Sequence, residues 1–97
     1  MRIISKKKLV DYWGKEPDAK TELEAWHAEA KSADWATPAQ IKAKYGNASI
    51  LKDGRVVFNI CGNRYRLVVW INYDFRVIYI RFVGTHKEYN KIDAQTA

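Results

Sequence analysis

The sequence predicts an α+β domain of two layers: N-terminal helices packed on one face of a four-stranded, mainly antiparallel sheet, with a short C-terminal helix. Three observations carry this. Up to about residue 46 the apolar residues recur at helical spacing, as in Ala19, Leu23, Trp26 and Ala30. From Ser49 onward the period changes to two. The dipeptides Asp53-Gly54 and Gly62-Asn63 then divide the second half into hairpins. With 97 residues the chain forms one domain over 1–97, large enough for a single modest core.

The first helix is expected over 6–13, with Ser5 as its cap, Leu9 and Trp13 on one face and Gly14 as its stop. Pro17 suits the first turn of a second helix, which carries the stripe from Ala19 to Ala30. Thr37-Pro38 opens a third, with Ile41 and Tyr45 inward and Gly46 as its end. Strands are expected over 49–52, 55–61, 64–72 and 76–83, the last two joined by a turn at Tyr73–Arg76. Phe75 fits that turn poorly, because bulky side chains avoid positive φ.

Alternation assigns the faces. Leu67, Val69 and Ile71 point to the core, while Arg64, Arg66, Val68 and Trp70 point away. Ile78, Ile80 and Phe82 share a face, opposite Tyr79, Arg81 and Val83. A turn at Gly62-Asn63 pairs Asn59 with Arg66 and Phe58 with Leu67. Pairing Leu67 with Phe82 joins the apolar faces and sets Arg81 opposite Val68. Asn59, Arg64, Arg66 and Arg81 thus share the face away from the helices.

Charge is placed unevenly along the chain. The formal net charge is +6. Residues 1–54 hold ten Lys/Arg against eight Asp/Glu, and residues 55–91 hold seven against two. A basic sheet half favours an acidic partner, above all nucleic acid. One cysteine, Cys61, and two histidines, His27 and His86, are too few for an internal disulfide or a zinc centre. Neither a signal peptide nor a stretch of membrane-span length is visible, so a cytoplasmic protein with no membrane partner and no cofactor is expected.

The segment Tyr79-Ile-Arg81-Phe-Val-Gly84-Thr-His86-Lys87-Glu-Tyr89-Asn-Lys91 holds most of the usable chemistry. Strand, break and short helix bring a guanidinium, an imidazole and a phenol to one sheet edge. Metal-free RNA cleavage needs the 2′-OH deprotonated, the phosphorane stabilised and the 5′-oxygen protonated. Arginine suits the second task, because its planar fork stays charged and grips two phosphate oxygens. His86 can serve as acid or base near neutrality. Tyr89, three residues on, shares its helix face and can move a proton or stack on a base.

Two segments, Phe58-Asn59-Ile-Cys-Gly62-Asn63-Arg64-Tyr65-Arg66-Leu67 and Tyr79-Ile-Arg81 through His86-Lys-Glu-Tyr89, closely resemble the HigB toxins of the RelE-like superfamily. The likeness extends over 56–94 and to the helix–helix–sheet order of the whole chain. It implies an mRNA endoribonuclease acting in the ribosomal A site, the toxin half of a type II toxin–antitoxin pair. It also implies a HigA-like helix-turn-helix antitoxin as partner, with operator DNA reached only through that complex. One departure is Asn90, where many relatives have Asp.

The expected catalytic set is Arg66 and Arg81 on the phosphate, His86 as acid, and Tyr89 as base or stacker, the two proton roles being exchangeable. Lys52, Arg55, Asn59, Asn63, Arg64, Trp70, Lys87 and Lys91 are expected to contact RNA, and no residue to hold a metal. Trp70 could instead rest under the antitoxin, and Asn63 is equally suited to a purely structural turn role. His27 and the run Lys6-Lys7-Lys8 read as surface features, although the lysines could touch ribosomal RNA. The alternative function is a non-catalytic basic module of the same fold that binds RNA or the antitoxin.

Overall fold

Pro17 decides where the first helix ends, because the residue before a proline is kept out of the α region. The computed structural model describes residues Met1–Ala97. In it α1 runs over Lys6–Lys15 and the chain breaks at Glu16. Gly14, the expected stop, lies inside α1 with open space around it. Ser5 does not form the expected cap: at φ 74 it turns a left-handed corner, and its hydroxyl bonds no helix amide. A 3-10 turn over Pro17–Ala19 leads into α2, Lys20–Ser32, which buries Leu23, Trp26 and Ala30 as the spacing requires. The third helix, α3, covers Pro38–Lys44 and buries Ile41.

The sheet has five strands rather than four. A short strand β1, Arg2–Ile4, precedes α1, followed after α3 by β2 (Ser49–Ile50), β3 (Arg55–Ile60), β4 (Tyr65–Asn72) and β5 (Val77–Thr85). A single turn of helix, α4, spans His86–Tyr89. The strand order is β1-β5-β4-β3-β2, antiparallel except where β1 runs parallel to β5 and pairs Arg2 with Val77. Three residues are too few to show a period, so β1 leaves no trace in the alternation pattern.

Turn chemistry explains the hairpins. Asp53 (φ 55) and Gly54 (φ 82) form the expected two-residue turn, closed by the Arg55 amide donating to the Lys52 carbonyl. In the next hairpin the left-handed residues are Cys61 (φ 53) and Gly62 (φ 66), one place earlier than Gly62-Asn63. The pairs Asn59–Arg66 and Phe58–Leu67 form as expected. At the third turn Arg76 takes the positive φ of 57, sparing Phe75.

A β-bulge corrects the expected pairing of β4 with β5. Val69 pairs with Ile80, but Val68 pairs with Phe82 and Leu67 with Val83, so Arg81 is the extra residue. A bulge changes which side the following residues face. Leu67 therefore does not meet Phe82, and Arg81 is not opposite Val68. Phe82 leaves the helix side, and Val83 takes its place against the main core.

Two cores result. The larger one lies between the helices and the sheet, centred on Phe58, whose ring sits 5.3 Å from Trp26 and 5.1 Å from Tyr45. The smaller one lies on the other face, where Val57, Val68 and Ala94 are buried with Leu51, Phe82, Tyr89 and Ile92 around them. That face was expected to lie open. Once the bulge has turned Phe82 beside Val57 and Val68, an apolar patch forms there, and residues 89–97 cover it.

Candidate active site

The site grows from the junction of β5 and α4. Thr85 caps α4 through a reciprocal box: its hydroxyl accepts from the Glu88 amide (3.1 Å), and Glu88 Oε1 accepts from the Thr85 amide (2.8 Å). The His86 amide donates to the Arg64 carbonyl at 2.9 Å, pinning the start of α4 to the β3–β4 turn. A methyl group at Gly84 would lie 2.7 Å from the Phe82 ring and 3.2 Å from Glu88 Oε1, so glycine permits this close docking. The signal for the box, Thr-x-x-Glu, stands in the sequence as Thr85-His-Lys-Glu88.

The amide of Thr85 holds the Glu88 carboxyl below the ordinary glutamate range, helped by the Thr85 hydroxyl and the Lys15 and Lys91 charges. A lowered folded value means the box stabilises α4 above the ordinary carboxylate pKa and is lost as pH falls through the folded one. Amide-exchange protection at Thr85 is therefore expected to drop below about pH 4 in the wild type. In Glu88→Gln it should be weaker at neutral pH and change little with acid. Equal protection in both proteins at pH 7 would contradict this role.

The structure brings Arg66 and Tyr89 together, and His86 begins the single helical turn that Tyr89 ends. Arg66 is half-buried, its Nη1 donating to the carbonyls of Asn63 (3.1 Å) and Tyr65 (3.4 Å). Its guanidinium carbon stands 5.8 Å from the centroid of the Tyr89 ring. His86 is exposed, and the Asn90 side-chain amide lies 3.2 Å from its Nδ1. The Asn90 amide can donate to an unprotonated Nδ1 or, turned over, accept from a protonated one, so it can hold the ring in either charge state. Asn90 thus orients the ring, a role its position next to Tyr89 did not disclose.

Arg81 belongs to a second cationic group. Three residues before Gly84, the partner of Arg66, it stands on the order of 10 Å farther along β5. Its Nε donates to the Ala97 backbone oxygen at 3.3 Å, and Arg55 donates to the same oxygen through Nε and Nη2, both at 3.2 Å. Gln95 ties the segment down by pairing with the Lys52 backbone in both directions, at 3.0 and 2.8 Å. Two guanidiniums converging on one oxygen make a grip suited to an anionic oxygen, here closed on the backbone oxygen of Ala97.

The other expected contacts separate. Arg64 leaves the expected face: it lies over the Tyr65 ring and pairs with Asp18 at 3.3 Å, on the helix side. The parity reading failed there because residue 64 belongs to the turn, not to the strand. Asn59 donates to the Asn47 carbonyl at 3.4 Å and lines a cavity with Lys44–Ala48 and Phe58. Trp70 keeps its expected face but is half-buried, donating to the Asp53 carbonyl (2.7 Å) with its ring against Tyr79. Asn63, Lys52, Lys87 and Lys91 are exposed, the last two flanking Tyr89 on and after α4. No three His, Cys, Asp or Glu side chains gather anywhere in the fold as metal ligands. No helix is long and apolar enough to cross a membrane.

A family model described as HigB toxin, RelE-like toxic component of a toxin-antitoxin system, matches residues 19–92. The mRNA interferase toxin HigB of Escherichia coli (strain K12) is 36% identical over 92 residues, spanning 93% of this chain and 88% of that protein. The mRNA interferase HigB of Shigella flexneri gives the same figures. The mRNA interferase HigB of Escherichia coli O6:H1 is 26% identical over 94 residues, 95% of this chain and 91% of that protein.

Proposed function

The chain belongs to the HigB family of RelE-like toxins, and from that premise we propose that it is an endoribonuclease cutting messenger RNA by 2′-OH attack without a metal ion. The observation that carries the mechanism is the Arg66 guanidinium over the ring of Tyr89, the last residue of the helical turn that His86 begins. In this reading the 2′-oxygen attacks the adjacent phosphorus and gives up its proton to a base. The P–O5′ bond breaks, and the departing oxygen takes a proton from an acid. The products are a 2′,3′-cyclic phosphate and a 5′-hydroxyl, so atoms and charge balance with no co-reactant.

Arg66 stabilises the charge that builds on the phosphorane, where a fixed donor acts without reorganising. His86, as imidazolium, gives a proton to the leaving oxygen, and Tyr89 accepts the 2′-proton as phenolate or stacks on the neighbouring base as phenol. Arg55 and Arg81 grip the next phosphate once the Ala97 oxygen yields its place. Lys52, Lys87 and Lys91 add positive field along the path, with Asn63 and Trp70 at its ends. Arg64 and Asn59 hold Asp18 and the Asn47 loop, and their contribution to RNA is indirect. The ribosomal A site is the proposed setting, and a HigA-like antitoxin, covering this face, the proposed inhibitor.

The test is chemical. An mRNA carrying a single 2′-deoxynucleotide at the cut position should survive intact, while the all-ribo message yields fragments ending in cyclic phosphate. Cleavage of the deoxy substrate would refute 2′-OH attack. Binding with salt-dependent affinity and no cleavage of either message would support the non-catalytic reading instead.

Asn90 offers a finer test of the acid assignment. A carboxylate in its place would favour the charged imidazolium. If His86 acts as acid, Asn90→Asp should carry cleavage to higher pH by up to about one unit. A loss of rate at neutral pH with no extension upward would assign His86 to the base role.

A further inference from the structure

A cavity of about 320 Å³ lies on the helix side of the molecule, lined by Met1, Arg2 and Ile3 of the β1 segment, Lys6 of α1, and His27 and Lys31 of α2. Three permanent cations and an imidazole face it, and none of its lining residues is acidic. His27 and Lys31 are four apart on one helix, so they project from the same face. Every ion pair in the structure lies elsewhere: Lys7–Asp11, Lys44–Glu29, Arg64–Asp18 and Arg76–Asp34. Arg2, Lys6 and Lys31 therefore have no carboxylate partner. Glu24 lies one turn before His27 and lines the adjoining groove with Lys6 and Trp13, outside the cavity.

Like charges gathered around one hollow repel each other, and a polyanion relieves that repulsion. Burial first, then the charges of Lys6 and Lys31, push the His27 imidazole below its ordinary value, consistent with both ammonium groups lying close to the ring. Arg2 provides a fork for two oxygens, the lysines provide point charges, and His27 provides a nearby donor. The cavity is remote from the cleavage face. Arg2 pairs with Val77 at the start of β5, and the catalytic turn follows Thr85 at its end, on the order of 25 Å along the strand.

We propose that this cavity is a second anion site that takes a backbone phosphate of RNA, separate from the phosphates gripped at the cleavage face. It narrows the RNA contact expected of the Lys6-Lys7-Lys8 run to Lys6 and adds Arg2, His27 and Lys31 to it. It also does not depend on the chain being a nuclease, since a pure RNA binder would use it equally.

The experiment follows the His27 ring signals by NMR at constant pH in the full chain. One arm adds inorganic phosphate, and the other adds a 2′-O-methylated RNA hairpin, which cannot be cut by 2′-OH attack. Saturable His27 shifts with the hairpin, at concentrations well below those needed with phosphate, are expected. The double variant Arg2→Ala/Lys31→Ala should lose these shifts, and the salt dependence of hairpin binding should fall by about one unit of slope per cation removed. Lys8→Ala, outside the cavity, should keep the shifts. Saturation by phosphate without any response to the hairpin would overturn the RNA assignment in favour of a small free anion. No saturable shift in either arm, or equal shifts in the double variant, would overturn the site itself.

Discussion

Arg66→Ala is expected to lower RNA cleavage by about two to three orders of magnitude, the typical loss when one fixed donor to a developing oxyanion is removed. The side chain is positioned for that task. Its guanidinium is tied to the Asn63 and Tyr65 carbonyls and lies over the Tyr89 ring, so little reorganisation is needed as charge builds. Arg66→Lys should restore little, because an ammonium cannot reproduce the two-pronged grip or the stacking. Both variants should fold, since the residue is only half-buried and its bonds are to backbone carbonyls at the β3–β4 turn and the start of β4. A loss below tenfold in Arg66→Ala would move the phosphate role to the Arg55–Arg81 pair.

The largest stability effect is expected at Phe58. Phe58→Ala should cost about 3–5 kcal/mol, read from the shift of a chemical denaturation midpoint at constant slope. Phe58 is 1% exposed and touches three aromatic rings, with centroids at 5.1 Å (Tyr45), 5.3 Å (Trp26) and 6.4 Å (Trp35). Those rings come from α2, from α3's end and from the segment between them, so no single neighbour can move in to fill the gap. For a domain of this size, whose whole stability is on the order of 5–15 kcal/mol, the variant would be marginal. A cost below 1 kcal/mol would mean that the aromatic cluster is not the centre of the core.

These two residues illustrate what the sequence discloses and what it does not. Phe58 and Arg66 lie on opposite faces of adjacent strands, and plain alternation placed both, with their partners Leu67 and Asn59. The helical stripe of α2 was equally readable, because one buried face forces one period. The bulge at Arg81 was not. In Ile78-Tyr-Ile80-Arg-Phe82-Val83 either apolar residue after Arg81 could face the core, so alternation gives no sign of an inserted residue. That slip carried the wrong partner for Leu67 and hid the patch that residues 89–97 cover.

The candidate site shows the same division. Arg66 meets Tyr89, on the helical turn that His86 begins, because these residues flank one strand–turn–helix junction, a local arrangement that spacing can express. Arg55 and Arg81 meet only through the Ala97 oxygen, 16 residues beyond Arg81, a contact no local pattern encodes. Asn90 reaches back to His86 from the C-cap of α4, whereas in the sequence it stands out only as a departure from the Asp of many relatives. Arg64 was misplaced by extending strand parity into a turn where Cys61 and Gly62 adopt left-handed backbone.

The central claim is that this chain cuts messenger RNA with the residues gathered around α4. Its most direct test maps RNA 5′ ends by primer extension on a reporter message in a cell-free translation reaction, comparing wild type with Arg66→Ala and His86→Ala. The account predicts new 5′ ends in phase with the ribosome for the wild type, absent or strongly reduced in both variants. A message left intact by the wild type, or cut equally by all three proteins, would contradict it.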